Sequence, residues 1–554
     1  MGSQPHNLAI SVTKPDGRVY RWGPDEADTE RVPQDLTFST TIPGGYKSME
    51  CSLSRDVTLD YPDLGLYDDI RVYGPGNVSA WEGRVAQLPR QLDNQQTIQV
   101  GGVGWVAHLD DDETWSELYV DREMGGWRSA SVQRRLNLVA TNLGYVEHSI
   151  VPDQTTGIPS IELTATGTWG STGEPSCETW YDAGPNNRIG SIYYEWRRNA
   201  NINVGDTNWF WLARLATNDD LSGGFDTTIN LRAVGPGSGT LTTTAARRYA
   251  QLLMYYPAAG PAGAAGTKYS LYWGPVAVYG DHGLTKRGAN PQGLYVSDIV
   301  SHIVSSGAPL LNTKIGGESS IELADFIVPQ LAFTTPTKPS EALAAANAYE
   351  LNEWGVYDNK TFFYRRPDPA NRTWTCRLSD GAQLSVDGVQ ADDVYNGVYV
   401  YYRDPVGETK TVGPPGSNAD VTSTSLIITD PENVVNKHGI ARRWAVLDIS
   451  QTTTAAGATQ MGAVWLAERA LPQYRGQLTI TGEATHPTNG TRPVYEMKAG
   501  DYVRIADYPN TQPRRIIETS YKHASKQQTL SLDNTVFKLE AIMERIGISL
   551  AGVI

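Results

Sequence analysis

Cysteine is nearly absent from this chain: 554 residues carry three, Cys51, Cys177 and Cys376, each far from the others. No CxxC or Cys/His ligand spacing occurs, so neither a disulfide framework nor a zinc site is indicated. Phenylalanine is also scarce, at 8 residues against 29 tyrosines and 15 tryptophans. Basic residues are outnumbered, 46 Lys and Arg to 61 Asp and Glu, for a formal net charge of -15. That balance argues against gripping nucleic acid through its phosphates. It suits a surface past which DNA slides without sticking. No stretch approaches the roughly 18 apolar residues of a membrane span. Residues Met1 to Ile10 lack the basic and apolar regions of a secretory leader. The expectation is a soluble chain without a membrane anchor, made in the cytoplasm of its host.

What is present points to sheets. Tyr, Trp and β-branched residues, cut by 54 glycines and 32 prolines, favour strands and turns over helical bundles. The length exceeds one hydrophobic core, so several domains are expected.

The most informative pattern is an internal duplication. Asp68-Asp69-Ile70-Arg71-Val72 is followed by a turn, a strand around Trp81 to Val85, and Gln95-Gln96-Thr97-Ile98-Gln99-Val100. Asp501-Tyr502-Val503-Arg504-Ile505 is followed by a turn, a strand around Arg515 to Glu518, and Gln527-Gln528-Thr529-Leu530-Ser531-Leu532. In each copy an Asp opens a strand whose apolar residues alternate around one Arg. Period-two alternation buries one face and wets the other. Each copy is therefore expected to form a small, closed or nearly closed β-barrel.

Between the copies, Val132, Leu136, Val139 and Leu143 share a helical period, predicting a helix over Ser129 to Leu143. Further helices are predicted over Ser297–Ser306, from an N-cap at Ser340 to Leu351, and over Ala455–Leu471. Trp354 to Tyr357 and Thr361 to Tyr364, around Asp358-Asn359-Lys360, read as a hairpin. The region 150–288 differs: it lacks helical period and is rich in aromatics, as expected of a jelly-roll-like β-sandwich. The expected division is 1–110, an N-terminal barrel; 111–149 with 289–392, a split α+β domain; 150–288, the inserted sandwich; and 393–554, a C-terminal barrel with a long helix. The fold class is mainly β with α+β parts.

The two strand triplets, with the 455–471 helix between them, resemble the hub proteins of long-tailed phage tails. The resemblance covers roughly three-quarters of the chain and omits the aromatic insertion. It implies a homotrimer, in which six barrels adapt a six-fold tail tube to a three-fold tip. Its implied partners are other copies of itself, the tail tube or distal tail protein, and other tail-tip proteins. The implied location is the virion, at the tail tip. The related hubs of injection systems and gene-transfer particles share this architecture.

The insertion resembles the carbohydrate-binding-like sandwiches that decorate tail tips. Aromatic faces stack on sugar rings, so Trp180, Tyr181, Trp196, Trp209, Trp211, Tyr256 and Trp273 are the candidate glycan-binding residues for a host envelope. The same residues are alternatively sandwich core. No catalytic or metal-binding residue is singled out, and no cofactor is implied. Asp281-His282 are adjacent and point to opposite faces of a strand. Asp110 to Glu113 lack the spacing and glycine of a calcium loop and read as a solvated turn. Asp and Glu are numerous, so a carboxylate pair formed only in space, as in a wall-degrading enzyme, is invisible to spacing.

Overall fold

A computed structural model describes residues between 7 and 533, excluding internal stretches of which the longest are 122–136, 199–209, 217–226, 256–267, 404–423 and 430–442. The first unit holds β1 (Ala9–Thr13), β2 (Val19–Trp22), β3 (Pro33–Thr41), β4 (Gly44–Ser54), β5 (Asp69–Gly74), β6 (Val78–Gln87) and β7 (Thr97–Gly104). Its antiparallel order is β2-β1-β5-β6-β7-β4-β3. Alternation sets the core: Ile10 and Val12 of β1 and Ile70 and Val72 of β5 are buried, while their neighbours are half-buried. Trp81, Tyr46 and Met49 fill the centre.

Next come β8 (Leu118–Asp121), β9 (Asn137–Thr141), β10 (Val146–Pro152), β11 (Pro159–Thr166), β12 (Ser176–Asp182), β13 (Ile189–Arg198), β14 (Phe210–Ala216), β15 (Thr227–Asn230), β16 (Gly237–Arg247), β17 (Tyr249–Tyr255) and β18 (Lys268–Gly280). They form two sheets, one ordered β10-β11-β18-β13-β16 with β8 also paired to β18, the other ordered β15-β14-β17-β12-β9. The helix expected over 129–143 is corrected here. Asn137 to Thr141 are a strand paired with β12 along five residues, and Ser129 to Leu136 lie outside the described residues. Apolar residues at helical spacing have yielded to edge pairing with a neighbouring strand.

The α+β part comprises β19 (Leu294–Tyr295), α1 (Val296–Gly307), β20 (Lys314–Ile315), β21 (Glu318–Ser319), β22 (Ile327–Val328), β23 (Gln330–Ala332), α2 (Pro339–Asn347), β24 (Glu353–Tyr357) and β25 (Thr361–Arg365). Ile299, Val300, Ile303 and Val304 of α1 bury against Ala342, Leu343 and Ala346 of α2 and against Trp354 and Phe362. The N-cap of α2 is Lys338, with Pro339 at the first helical position, where its missing N–H costs nothing. Ser340, expected at the cap, instead donates its hydroxyl to Asp110. The predicted hairpin is β24–β25, with Asn359 and Lys360 both at φ 58° in its turn.

The last unit contains β26 (Thr373–Cys376), β27 (Gln383–Val386), β28 (Gly397–Arg403), β29 (Thr424–Thr429), β30 (Trp444–Thr452), β31 (Gly476–Thr481), β32 (Glu483–His486), β33 (Gly490–Pro493), β34 (Tyr502–Ile505), β35 (Arg514–Lys522) and β36 (Gln527–Asp533). β28, β29 and β30 make a separate three-stranded sheet. Trp465 and Leu466 pack on it with helical backbone; most of the helix expected over 455–471 lies outside the described residues.

The duplication is written in the hydrogen bonds. Five strands of the first unit run β3-β4-β7-β6-β5, and five of the last run β27-β31-β36-β35-β34. Asp68 and Asp501 each accept, through Oδ2, the backbone N–H three residues upstream, from Gly65 at 2.6 Å and from Lys498 at 3.1 Å. This turn explains why an Asp opens the strand in both copies. Val85 N donates to Asp68 O as Ile516 N donates to Asp501 O, and both strands then bulge one step later. Gln95 and Gln96 lie outside the described residues, and the third strands are offset from the sequence match. Taking the bulges as equivalent, Gly102 opposite Val85 matches Leu532 opposite Ile516, which slips the third strand by two residues from the sequence match. Two residues is the sheet period, so the inward face survives the slip.

Among the described residues neither unit closes into a barrel. β2 and β3 do not pair with each other; β3 pairs instead with β35, so the units merge into one 17-stranded sheet. The expected closure is replaced by fusion, which satisfies the same strand edge.

Candidate functional site

The seam between the units is the most elaborate polar assembly among the described residues. Thr37 to Thr41 pair antiparallel with Lys522 to Glu518. β35 continues beyond β34 on that side, which leaves its edge open to β3. Ile42 N bonds Ile517 O at 2.9 Å, and the buried hydroxyls of Thr40 and Thr519 meet at 2.8 Å. Thr40 Oγ1 also accepts the Ala499 N–H at 2.8 Å. The chain around Gly44-Gly45 then runs parallel to Gly355-Val356 of β24. A Cβ at Gly45 would stand 2.2 Å from Val356 O, so this approach requires glycine.

β24 delivers Glu353, fully buried, into the seam. Its carboxylate lies 2.9 Å from Arg515 Nε, 2.9 Å from an Arg372 terminal nitrogen and 3.6 Å from Arg365 Nε. The Arg515 approach is an ion contact rather than an aligned hydrogen bond. Arg372 also reaches Asp501, at 3.8 Å. Burial, with repulsion from Arg372, lowers the pKa of Arg365. Burial raises that of Asp501, against the opposing pull of the Lys498 N–H, Arg372 and Trp374. A second cluster joins the same three units: Lys498 Nζ lies 2.9 Å from Asp358 Oδ1 and 2.8 Å from the Tyr46 hydroxyl. Burial alone would raise the Asp358 pKa, but Lys498 and hydrogen bonds from Tyr46 and Lys498 outweigh it and the net shift is downward. Burial, then Asp358, pushes the Tyr46 phenol well up.

These oppositely charged groups hold one another in place, and the arrangement locks together three segments far apart in sequence. The signals in sequence were a lone Glu opening an apolar strand and the pair Arg514-Arg515 within another; without knowing which strands meet, neither stands out.

The acidic run 110–113 is taken up locally. Asp111 accepts two 2.6 Å bonds from Arg84, and Asp112 accepts from Thr114 N and Oγ1 at 2.8 Å. No group of acids, His or Cys suited to a metal occurs among the described residues. At the root of the insertion, burial and then the charge of Asp281 raise the Glu117 pKa to about 7, although Leu118 N donates to it. His282 lies outside the described residues.

The candidate glycan-binding aromatics divide between two sheets. Trp180 and Tyr181 are in β12, Trp211 in β14, Trp196 in β13 and Trp273 in β18; Trp209 and Tyr256 lie outside the described residues. Tyr181 is in register with Ala250 and Leu215, both buried, and Trp211 falls on that same sheet face. Trp180, in register with Gln251 and Arg214, is on the opposite face. Trp196 stands across from Trp273, on the β13 face that carries buried Ile192. The register sets Trp196 opposite Trp273 in one sheet, and in the other sets Trp180 out of step with Tyr181 and Trp211.

No protein-family model matches the chain, and no curated protein matches it. Solved structures similar to it include tail and particle proteins. The prophage MuSo2 43 kDa tail protein from Shewanella oneidensis is 10% identical, with a TM-score of 0.41 over 97% of this chain and 99% of that one. A tail protein from Neisseria meningitidis MC58 is also 10% identical, with a TM-score of 0.41 over 95% of this chain and 96% of that one. A chain of the native gene transfer agent virion is 13% identical, with a TM-score of 0.33 over 77% and 86%.

Proposed function

We propose that this chain is a structural subunit of a phage tail hub, with its two duplicated units as adjacent members of a ring. The observation that carries this reading is the seam. Two units with one strand order are joined edge to edge by β3 and β35, head to tail rather than face to face. A heterologous contact between equivalent units closes into a ring if its rotation allows. Three copies would supply six units and so adapt a six-fold tube to a three-fold tip. The division into an N-terminal hub unit, a split α+β domain, an inserted sandwich and a C-terminal hub unit belongs to this reading.

The partners in this reading are two further copies, the tail tube or distal tail protein, and other tip proteins; the location is the virion tail tip. The role is non-enzymatic: the buried carboxylate of Glu353 is held by guanidinium groups and the partly exposed one of Asp358 by the Lys498 ammonium. The sandwich, carried on both sides by connections to the α+β part, is the outward module, and host-envelope glycan is its proposed ligand. A hub of a gene-transfer particle is the same assembly in another carrier. The test is the mass of the full-length protein in solution with images of the particle. A trimer with a central opening supports the proposal, and a monomer at all concentrations overturns it.

A further inference from the structure

The outer face of the first unit carries a charge that the fold leaves unanswered. Ile10 and Val12 of β1 and Trp22 of β2 point into the core, so Ser11, Thr13, Val19 and Arg21 point out. Antiparallel register then sets two rows across β2, β1, β5 and β6. One row reads Arg21, Ser11, Arg71 and Glu82, and the next reads Val19, Thr13, Asp69 and Arg84. Most charges in these rows find a partner. Arg71 Nε lies 3.1 Å from Glu82, and Arg84 donates twice to Asp111 at 2.6 Å. Arg21 differs: its row neighbour is Ser11, and no hydrogen bond or ion pair ties it to any described residue.

A wall from other elements turns this open face into a cleft of about 630 Å³, a volume typical of small-molecule sites. The turn between β24 and β25 brings Lys360, whose ammonium lies 2.9 Å from Asp69 and 4.3 Å from the centre of the Trp105 ring. Asn359 N donates to Glu82 Oε2 at 2.7 Å, and Trp105 Nε1 approaches the same oxygen at 3.4 Å. Glu82 is thereby used up in holding floor to wall. At the other end, Arg71 donates to the carbonyl of Asn77 at 3.1 Å. Asn77, Asn359 and Lys360 all have left-handed backbone, at φ 63°, 58° and 58°. Backbone of this kind persists where its surroundings over-determine it, and it gathers at binding sites. The lining sets the cations Arg21, Arg71 and Lys360 against the carboxylates Asp69 and Glu82, in a chain whose net charge is -15. Asp69 is matched to Lys360 and Glu82 to Arg71, so the surplus is Arg21.

We propose that this cleft binds a sugar-sized ligand bearing a phosphate or a carboxylate, with the anion above Ser11 between Arg21 and Arg71. Neighbouring strands lie about 4.8 Å apart, so the two arginines stand about 10 Å apart at their Cα atoms and flank the serine. Their long stems let both guanidinium groups close on one anion, and each offers a fork of N–H donors that matches phosphate or carboxylate oxygens. The Ser11 hydroxyl donates from below. Beyond the anion, Asp69 accepts from ligand hydroxyls, and Thr13 and Lys360 donate to them. A hydroxylated body suits this polar end, where an apolar one would strand its donors and acceptors. None of the lining residues comes from the insertion or the last unit, so the proposal stands or falls independently of the ring.

The test is isothermal titration of the full-length protein with glucose 6-phosphate, glucuronate and glucose at low salt. One or both anionic sugars should bind with a dissociation constant of about 1 mM or tighter, and neutral glucose at least about tenfold more weakly. The tighter of the two tells phosphate from carboxylate. Arg21→Ala should weaken that binding by about tenfold or more, and Ser11→Ala by less, with melting temperature unchanged because both side chains lie outside the core. Lys47→Ala removes the same charge at an exposed pair with Glu518, outside the cleft, and should leave binding unchanged. The proposal is overturned if the wild type binds neither anionic sugar, or binds glucose as tightly as both. Equal binding by the wild type and Arg21→Ala overturns it too, since the anion then sits elsewhere.

Discussion

Glu353 shows at the scale of one residue how the chain holds its distant parts together. A buried carboxylate facing three guanidinium groups is tolerable only while all are present, because removing one partner strands the others in low dielectric. Glu353→Ala should therefore destabilise the protein by about 3–5 kcal/mol, measured by chemical denaturation. The partner change Lys47→Ala, at an exposed 2.7 Å pair with Glu518, should cost at most about 1 kcal/mol. Glu117 carries a pH dependence of opposite character. Its folded pKa, about 7, lies above the ordinary 4.5 of a glutamate, so the folded state holds the proton more tightly. Stability from this group is full below the unfolded pKa and falls as pH rises through 7. Glu117→Gln should raise stability at pH 8 by on the order of 1–3 kcal/mol and change little at pH 4. Equal effects at both pH values would refute the assignment.

Strands and helices were legible to different degrees, for physical reasons. The strand triplets around Asp68 and Asp501 stood out because period-two burial and a turn-closing Asp are local demands. The hairpin at Asp358–Lys360 and the helix stop at Gly307 were local too. What local pattern could not carry was partnership. Thr37 to Thr41 read the same whether they close their own barrel or join β35. Asn137 to Thr141 kept a helical period by accident and became an edge strand because β12 offered its bonds. Glu353, the centre of the seam, was missed because its partners come from segments up to Arg515. For the insertion, register separates Trp180 from Tyr181 and Trp211. Trp180→Ala should reduce binding of full-length protein to host-envelope glycan, read by glycan array, with melting temperature unchanged.

For the whole molecule, duplication, fusion and charge tell one story. Two copies of one unit are fused edge to edge, the seam is secured by ions from a third segment, and the aromatic-rich strands join the α+β part through β8, which pairs with β18 and β23. Among the described residues fusion takes the place of barrel closure, because β3 pairs with β35 of the other unit. The net charge of -15 is compatible with a ring whose bore passes DNA. The most direct measurement is an image reconstruction of the full-length assembly together with its mass. Three copies, with six equivalent units around an open bore and each intramolecular seam alternating with one between copies, is the predicted result. A monomer, or an oligomer whose duplicated units do not lie side by side in one ring, would contradict it.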